Sequence, residues 1–175
     1  MSNNWNKTMD KDLQQRSAEI HWPEGFEPEH ADLFSHNQLV IHASAEIIWR
    51  HLVEAPKWPE WYLNAQAVSI LEGDKTLKAD STFLWTTFGI DLESKINEYA
   101  PGSRLSWYGY APGARPNFYH TWYIVRQDAH SCLVITEEVG IGHDAVSFRK
   151  NNEGLLHRGH DLWLAGLKWI SEDDA

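Results

Sequence analysis

The segment Glu153–Ser171, EGLLHRGHDLWLAGLKWIS, decides the fold of this chain. Its apolar residues recur at steps of three and four, which predicts a helix with one broad apolar face. That face comprises Leu155, Leu156, Leu162, Trp163, Leu167 and Ile170. Gly159 and Gly166 fall within it, although each glycine lowers helix stability by about 1 kcal/mol relative to alanine. We therefore expect either a close backbone approach or an empty space beside the helix at these two positions.

The chain before this helix has the pattern of a sheet. Short alternating segments separated by turn residues predict seven strands, at residues 38–42, 65–71, 82–88, 90–99, 104–110, 119–127 and 132–141. Two short helices are predicted between the first two strands, one capped by Ser44 and one at residues 57–62. A loop is predicted at residues 143–152, before the last helix. Hairpin-length connections make the sheet antiparallel, and the last helix must cover its apolar face. The sequence thus predicts an α+β domain with a curved sheet around a C-terminal helix.

Length and charge limit the classes of function. A chain of 175 residues suits one domain, which we place at residues 36–175, preceded by an N-terminal arm at residues 1–35. The net charge of −10 argues against a nucleic-acid partner. No apolar run is long enough for a membrane span, and no secretion signal is visible. The single Cys132 excludes an internal disulfide, so we expect a cytoplasmic protein. An exposed edge strand of the sheet would allow a homodimer.

Several local strings resemble the SRPBCC (START-like) superfamily, in particular its polyketide cyclase/dehydrase-like bacterial members. The strings are IHASAEIIW at 41–49, WPEW at 58–61, FLW at 83–85, SKI at 94–96, PGSRLSW at 101–107, HTW at 120–122 and TEE at 136–138. The resemblance implies the helix-grip fold, also called the START/Bet v-like fold. It also implies a cavity between the sheet and the last helix.

Strand alternation and the apolar face of the last helix select the residues that face this cavity. The strands supply Trp85, Ser94, Trp107, His120, Trp122 and Glu138, the helix supplies His160 and Trp163, and we predict that these residues bind the ligand. The phase of the last strand is ambiguous between Glu137 and Glu138, and the family-like pattern favours Glu138. An inward imidazole and carboxylate could act as general acid and base. His120, Glu138 and His160 are therefore the candidate catalytic residues.

Three functions stay open at this point. The protein binds or carries a small apolar molecule, which is aromatic or polyketide-like. Alternatively, it is a cyclase, aromatase or dehydratase that uses its histidine and glutamate groups. In the third case its ten tryptophans fill the cavity and the domain binds a protein partner. We predict no metal and no cofactor, because His157 and His160 are the only close helical pair and no nucleotide-binding loop is present.

Overall fold

The computed structural model describes residues 7–175, and the first six residues of the predicted arm lie outside the described part. One seven-stranded antiparallel sheet has the strand order β1-β7-β6-β5-β4-β3-β2. The strands are β1 Leu33–Ile41, β2 Gln66–Ile70, β3 Thr82–Thr87, β4 Ile90–Ala100, β5 Arg104–Tyr110, β6 Phe118–Arg126 and β7 Cys132–Gly140. The α-helices are α1 Lys7–Gln15, α2 Ala45–Val53, α3 Gly142–Asn151 and α4 Leu155–Asp173. Short 3₁₀ helices occupy Pro28–His30, Ala55–Glu60 and Leu71–Gly73.

This architecture confirms the predicted α+β helix-grip arrangement of a curved sheet and a long C-terminal helix. The predicted loop and the predicted start of the first strand were wrong. Residues 143–151 belong to helix α3 and not to a loop; of the side chains of this helix only Ala145 is buried, so the segment lacks a clear apolar face. Strand β1 begins at Leu33, five residues before the predicted start. Its first half was missed because Ser35, His36 and Asn37 are polar, although all three are buried.

Helix α4 packs against the sheet through Leu156, Trp163, Leu164 and Leu167, which are all buried. The expectation for Leu162 was wrong, because its side chain is 57% exposed. Both glycines mark close approaches and not empty space. A Cβ atom at Gly166 would lie 2.4 Å from the backbone carbonyl oxygen of Trp61. A Cβ atom at Gly159 would lie 2.3 Å from Cζ of the Phe88 ring.

Aromatic rings fill one end of the domain. Trp58, in the 3₁₀ helix Ala55–Glu60, is fully buried and its indole N–H donates to the carbonyl oxygen of Leu52 at 3.2 Å. Its ring lies within 6 Å, centroid to centroid, of the rings of Phe83, Trp85, Trp107 and Trp163. Trp58 is therefore a core residue at this end of the domain, and it does not line the cavity between the sheet and α4.

The N-terminal arm packs on the face of the sheet opposite α4. Met9 and Phe26 join Phe34, Tyr119 and Val139 in a separate apolar cluster. Polar contacts hold the arm at two further points: Asp12 Oδ2 lies 2.9 Å from Nδ1 of His157, and the backbone N–H of Ser17 donates to Glu137 Oε1 at 2.6 Å. No helix within residues 7–175 is long and apolar enough to cross a membrane.

Candidate functional site

A row of directly opposed residues crosses the sheet beneath α4. Register pairs Ser35 on β1 with Glu138 on β7, Glu138 with His120 on β6, and His120 with Trp107 on β5. Residues that are directly opposite in an antiparallel sheet project from the same face. His160 projects from α4 onto this row, so side chains from four strands and one helix meet at one place.

The two imidazoles converge on one carboxylate oxygen. Glu138 Oε2 lies 3.0 Å from Nε2 of His160 and 3.2 Å from Nδ1 of His120. The outer nitrogen of each ring also has a partner: Nδ1 of His160 is 2.8 Å from Ser35 Oγ, and Nε2 of His120 is 2.8 Å from Thr136 Oγ1. The cluster is therefore a chain of five side chains in which every imidazole nitrogen lies within 3.2 Å of an oxygen atom.

Burial and charge set the protonation of this cluster. Burial lowers the pKa of His120 to about 4, against the opposing attraction of Glu138. Burial alone would raise the pKa of Glu138, but the charge of His120 and hydrogen bonds from His120 and His160 outweigh it and lower that pKa to about 2. Both pKa values thus lie below their usual ranges, which favours the carboxylate form of Glu138. In the described part of the chain, Glu138 Oε1 has no hydrogen-bond partner.

The cluster borders a cavity of about 330 Å³ between the sheet and α4. Its inner wall is built from buried residues such as Tyr62, Trp85, Trp107 and Trp163. Its outer part includes the exposed residues Ile90, Ala111, Asp144 and Asn151. The cavity therefore opens between the β3–β4 turn, the β5–β6 connection and helix α3.

Comparison with solved structures finds several proteins of the same architecture. A hypothetical protein of Helicobacter pylori, jhp0584, has a TM-score of 0.79 at 26% identity, with 89% of this chain and 98% of that chain covered. A START superfamily protein of Mycobacterium smegmatis has a TM-score of 0.61 at 13% identity, over 81% of this chain and 99% of that one. The di-domain aromatase/cyclase (ARO/CYC) StfQ of steffimycin biosynthesis has a TM-score of 0.64 at 16% identity, over 83% of this chain and 54% of that chain.

The chain shares the helix-grip fold of these solved structures. Comparisons with protein-family models and with curated proteins find no match. The solved structures at or below 20% identity support the fold alone, and jhp0584 carries no stated activity.

Seven of the eight predicted ligand-binding residues line the cavity: Trp85, Ser94, Trp107, His120, Glu138, His160 and Trp163. Trp122 does not line it. It is buried behind the wall, with its ring stacked 5.6 Å from that of His120. The structure also places Glu138 toward the cavity, whereas Glu137 lies on the other face of β7, where it contacts the arm. Ligand contact by these residues stays a prediction.

Ser94 contributes to the cavity wall in a specific way. Its hydroxyl oxygen accepts a hydrogen bond of 3.0 Å from the indole N–H of Trp85. Both side chains are buried, and both line the cavity. This hydroxyl therefore fixes the orientation of an aromatic wall residue, and we interpret Ser94 first as a structural group.

Sequence reasoning missed several residues of the site. Ser35 orients His160, and Phe88, Phe118 and Phe148 line the cavity beside α3. Thr136, which alternation places on the inward face of β7 with Glu138, orients His120 but was not selected as a site residue. A β1 strand begun at Leu33 would have placed Ser35 on the same face as Leu39 and Ile41 by alternation. Helix α3 gave no such signal, so Phe148 could not have been assigned from periodicity.

The spacing of the histidines along α4 also did not indicate which of them belongs to the cluster. His157 and His160 are the close pair in the sequence, but the structure separates them. His157 turns to Asp12 of the arm, and His160 joins His120 and Glu138, which come from strands 22 to 40 positions away in the sequence. The ligating atoms of His120, Glu138 and His160 all lie within 4.8 Å of one another, a distance compatible with a shared metal ion.

Proposed function

We propose that this protein binds a small, mostly apolar molecule that carries a ring system and at least one polar group. The observation that carries the proposal is the cavity of about 330 Å³, which combines an aromatic wall with the His120–Glu138–His160 cluster. Ligand sites in proteins are cavities of about 300–1,000 Å³ lined by apolar side chains and a few polar groups. A volume near the lower limit favours a compact molecule over a long-chain lipid.

The wall favours a flat ligand. Trp85, Trp107 and Trp163 present indole rings, and Phe118 and Phe148 add phenyl rings nearer to α3. Aromatic side chains bind other rings through stacked or edge-to-face contacts that add to the area buried. A planar ring system therefore gains more from this cavity than a branched aliphatic molecule of equal area.

The polar end of the ligand would meet Glu138. Its Oε1 atom has no partner among residues 7–175, whereas Oε2 is held by the two imidazoles. A carboxylate oxygen accepts hydrogen bonds only, so a hydroxyl or N–H group on the ligand is the matching donor. We therefore expect phenolic or amino-substituted ring compounds to bind more tightly than the corresponding hydrocarbons.

Gly109 offers a direct test of binding. A Cβ atom at this position would meet Phe118 Cβ at 3.6 Å and Ser94 Oγ at 4.0 Å, which are ordinary contacts. Gly109→Ala should therefore fold and bind as the native protein does, whereas Gly109→Leu should fold and obstruct the cavity. We would measure binding of 2-naphthol by calorimetry and by ligand-observed NMR, with naphthalene as the hydrocarbon control.

The expected result is binding to the native protein and to Gly109→Ala, and at least a tenfold loss in Gly109→Leu. Native mass spectrometry of the purified protein, with extraction of any bound compound, would add the ligand class. A native protein that carries no compound, and that binds neither 2-naphthol nor a panel of related ring compounds, would overturn the proposal. The tryptophans would then be core residues, and the domain would be a candidate for a protein partner.

An acid–base enzyme is the second candidate, favoured by the convergence of two imidazoles on a carboxylate inside an apolar cavity. Such groups could enolise, cyclise or dehydrate a bound ketone. The distinguishing test is incubation with polyketide-like ketones, with the products followed by mass spectrometry. An enzyme should give product that is lost in Glu138→Gln while the substrate still binds. A protein that only binds or carries should return every ketone unchanged.

A further inference from the structure

We propose that His120, Glu138 and His160 bind a divalent first-row transition metal ion, such as zinc or ferrous iron. Two imidazoles and one carboxylate form the protein ligands of many catalytic zinc sites and of mononuclear non-haem iron sites. Here the three groups come from β6, β7 and α4, elements that are fixed by the packing of the domain. Metal binding would be a property of the protein alone and does not depend on an organic ligand.

The distances between the ligand atoms fit one ion. Bonds of about 2.0–2.2 Å place two ligand atoms of the same ion about 3.0–3.4 Å apart. Glu138 Oε2 lies 3.0 Å from Nε2 of His160 and 3.2 Å from Nδ1 of His120. All three ligand atoms lie within 4.8 Å of one another, so the two imidazole nitrogens need to approach by no more than about 1.5 Å.

The outer hydrogen bonds have the arrangement of a metal site. A ligating histidine usually donates its other ring N–H to an oxygen, which fixes the tautomer and the orientation of the ring. Nδ1 of His160 has Ser35 Oγ at 2.8 Å, and Nε2 of His120 has Thr136 Oγ1 at 2.8 Å. Each inner nitrogen is thus free to turn its lone pair toward an ion beside Glu138.

The direction of one hydrogen bond strengthens this inference. The hydroxyl of Thr136 donates a hydrogen bond of 3.0 Å to the carbonyl oxygen of Thr121, so its oxygen accepts a hydrogen bond from the N–H at Nε2 of His120. Because Thr136 holds Nε2 of His120, Nδ1 is the ring nitrogen that faces Glu138, at 3.2 Å from Oε2, and is the atom that would ligate the ion.

Three protein ligands leave at least one coordination position open, as in catalytic zinc sites. His120, Glu138 and His160 all line the cavity, so the open position faces the space where a small molecule would bind. A hydroxyl or carbonyl oxygen of that molecule could then coordinate the ion directly.

The test uses protein without an affinity tag, freed of metal by a chelator and titrated with Co²⁺, Zn²⁺ and, without oxygen, Fe²⁺. We expect one equivalent to bind, with visible d–d absorption for Co²⁺ and displacement by Zn²⁺ if zinc is preferred. Glu138→Gln and His160→Gln should weaken binding by more than 100-fold, whereas Ser35→Ala, which removes only an outer partner, should weaken it by about 10-fold. His157→Gln, one turn earlier on α4, is the control and should bind as the native protein does.

Circular dichroism of each metal-free variant shows whether it is folded. If a variant of a ligand does not fold, Ser35→Ala still tests the site, because it keeps all three ligands. The proposal is overturned if no ion binds in stoichiometric amount, or if folded Glu138→Gln and His160→Gln bind as tightly as the native protein. Titration of the metal-free protein with 2-naphthol runs alongside. A protein that binds naphthol and no ion would refute the metal site and leave the proposed function intact.

Discussion

The ring of Phe88 lies against the backbone of Gly159, where a Cβ atom would come within 2.3 Å of the ring carbon Cζ. Alanine there would favour the helix by about 1 kcal/mol. The clash involves only the far end of a side chain, which can move, and Phe88 lines the cavity. We therefore predict that Gly159→Ala unfolds within a few degrees of the native protein but changes its affinity for 2-naphthol. An unchanged affinity would show that Phe88 moves without altering the cavity.

Gly166 should respond differently to the same substitution. A Cβ atom at this position would lie 2.4 Å from the carbonyl oxygen of Trp61, a backbone atom that no side-chain rotation can move. Overpacking of this kind costs about 1–3 kcal/mol. We predict that Gly166→Ala lowers the free energy of unfolding in urea by this amount, and that Gly159→Ala lowers it less. Equal effects would mean that the segment around Trp61 yields as readily as the ring of Phe88.

The adjacent acids of β7 should have opposite consequences when removed. Glu137 Oε1 accepts hydrogen bonds of 2.6 Å from the backbone N–H of Ser17 and from Nδ1 of His36, and its side chain is fully buried. Glu137→Ala leaves both donors without a partner, at about 1–3 kcal/mol each. We predict a less stable protein with faster amide hydrogen exchange in residues 7–31.

Glu138→Ala is the matched control for that change. Its two imidazole partners border the cavity, where water can replace the lost carboxylate. The arm should keep its exchange protection in this variant, and the loss of stability should be smaller. Faster exchange of the arm in Glu138→Ala but not in Glu137→Ala would contradict the assignment of the two residues to opposite faces of β7.

Most of the fold could be predicted because its signals are local. The spacing of apolar residues in α4 and the alternation in each strand can be read within a single segment. The N-cap of α2 is equally local, since Ser44 Oγ lies 3.4 Å from the backbone nitrogen of Ile47, three residues later. The first half of β1 could not be predicted, because buried polar residues break its alternation. Ser35 is buried for a reason that the sequence cannot show, namely its hydrogen bond to His160, which is 125 positions away.

The site was predictable only in part, because its contacts also join residues that are far apart in the sequence. Alternation and the resemblance selected His120 and Glu138 from two strands, and the apolar face of α4 selected His160. Their convergence on one carboxylate oxygen depends on the register of β6 and β7 and on the rotation of α4, which no local pattern encodes. Sequence reasoning therefore proposed the residues of the cluster but gave no indication of a shared metal ion.

Ser94 should prove to be a structural residue of the cavity wall. Ser94→Ala removes the acceptor of the Trp85 indole N–H, a buried hydrogen bond of 3.0 Å, and leaves that donor unpaired. We predict a loss of about 1–3 kcal/mol in the free energy of unfolding, measured by urea denaturation. Ser106→Ala is the control, because its hydroxyl makes a longer contact of 3.5 Å with Glu98 and should contribute less. An equal loss in both variants would argue against a special role for Ser94.

The contact between His157 and Asp12 should make the stability of the protein depend on pH. The hydrogen bond to Asp12 raises the pKa of His157, and Asp161 adds to this effect while burial and Lys11 oppose it. A pKa that is higher in the folded state stabilises the protein fully below the unfolded value of about 6.5, and this contribution disappears as pH rises through the folded pKa. His157→Gln should therefore lower the melting temperature more at about pH 5.5 than at about pH 8.5.

Asp12→Asn provides the complementary variant, because it removes the charge that raises the pKa of His157 while keeping the shape of the side chain. It should show the same sign of pH dependence relative to the native protein. Amide exchange of residues 7–15 would locate the effect in α1, since Asp12 lies on that helix. A difference in melting temperature that is independent of pH in both variants would mean that the arm is held by its apolar contacts around Met9 and Phe26 and not by this ion pair.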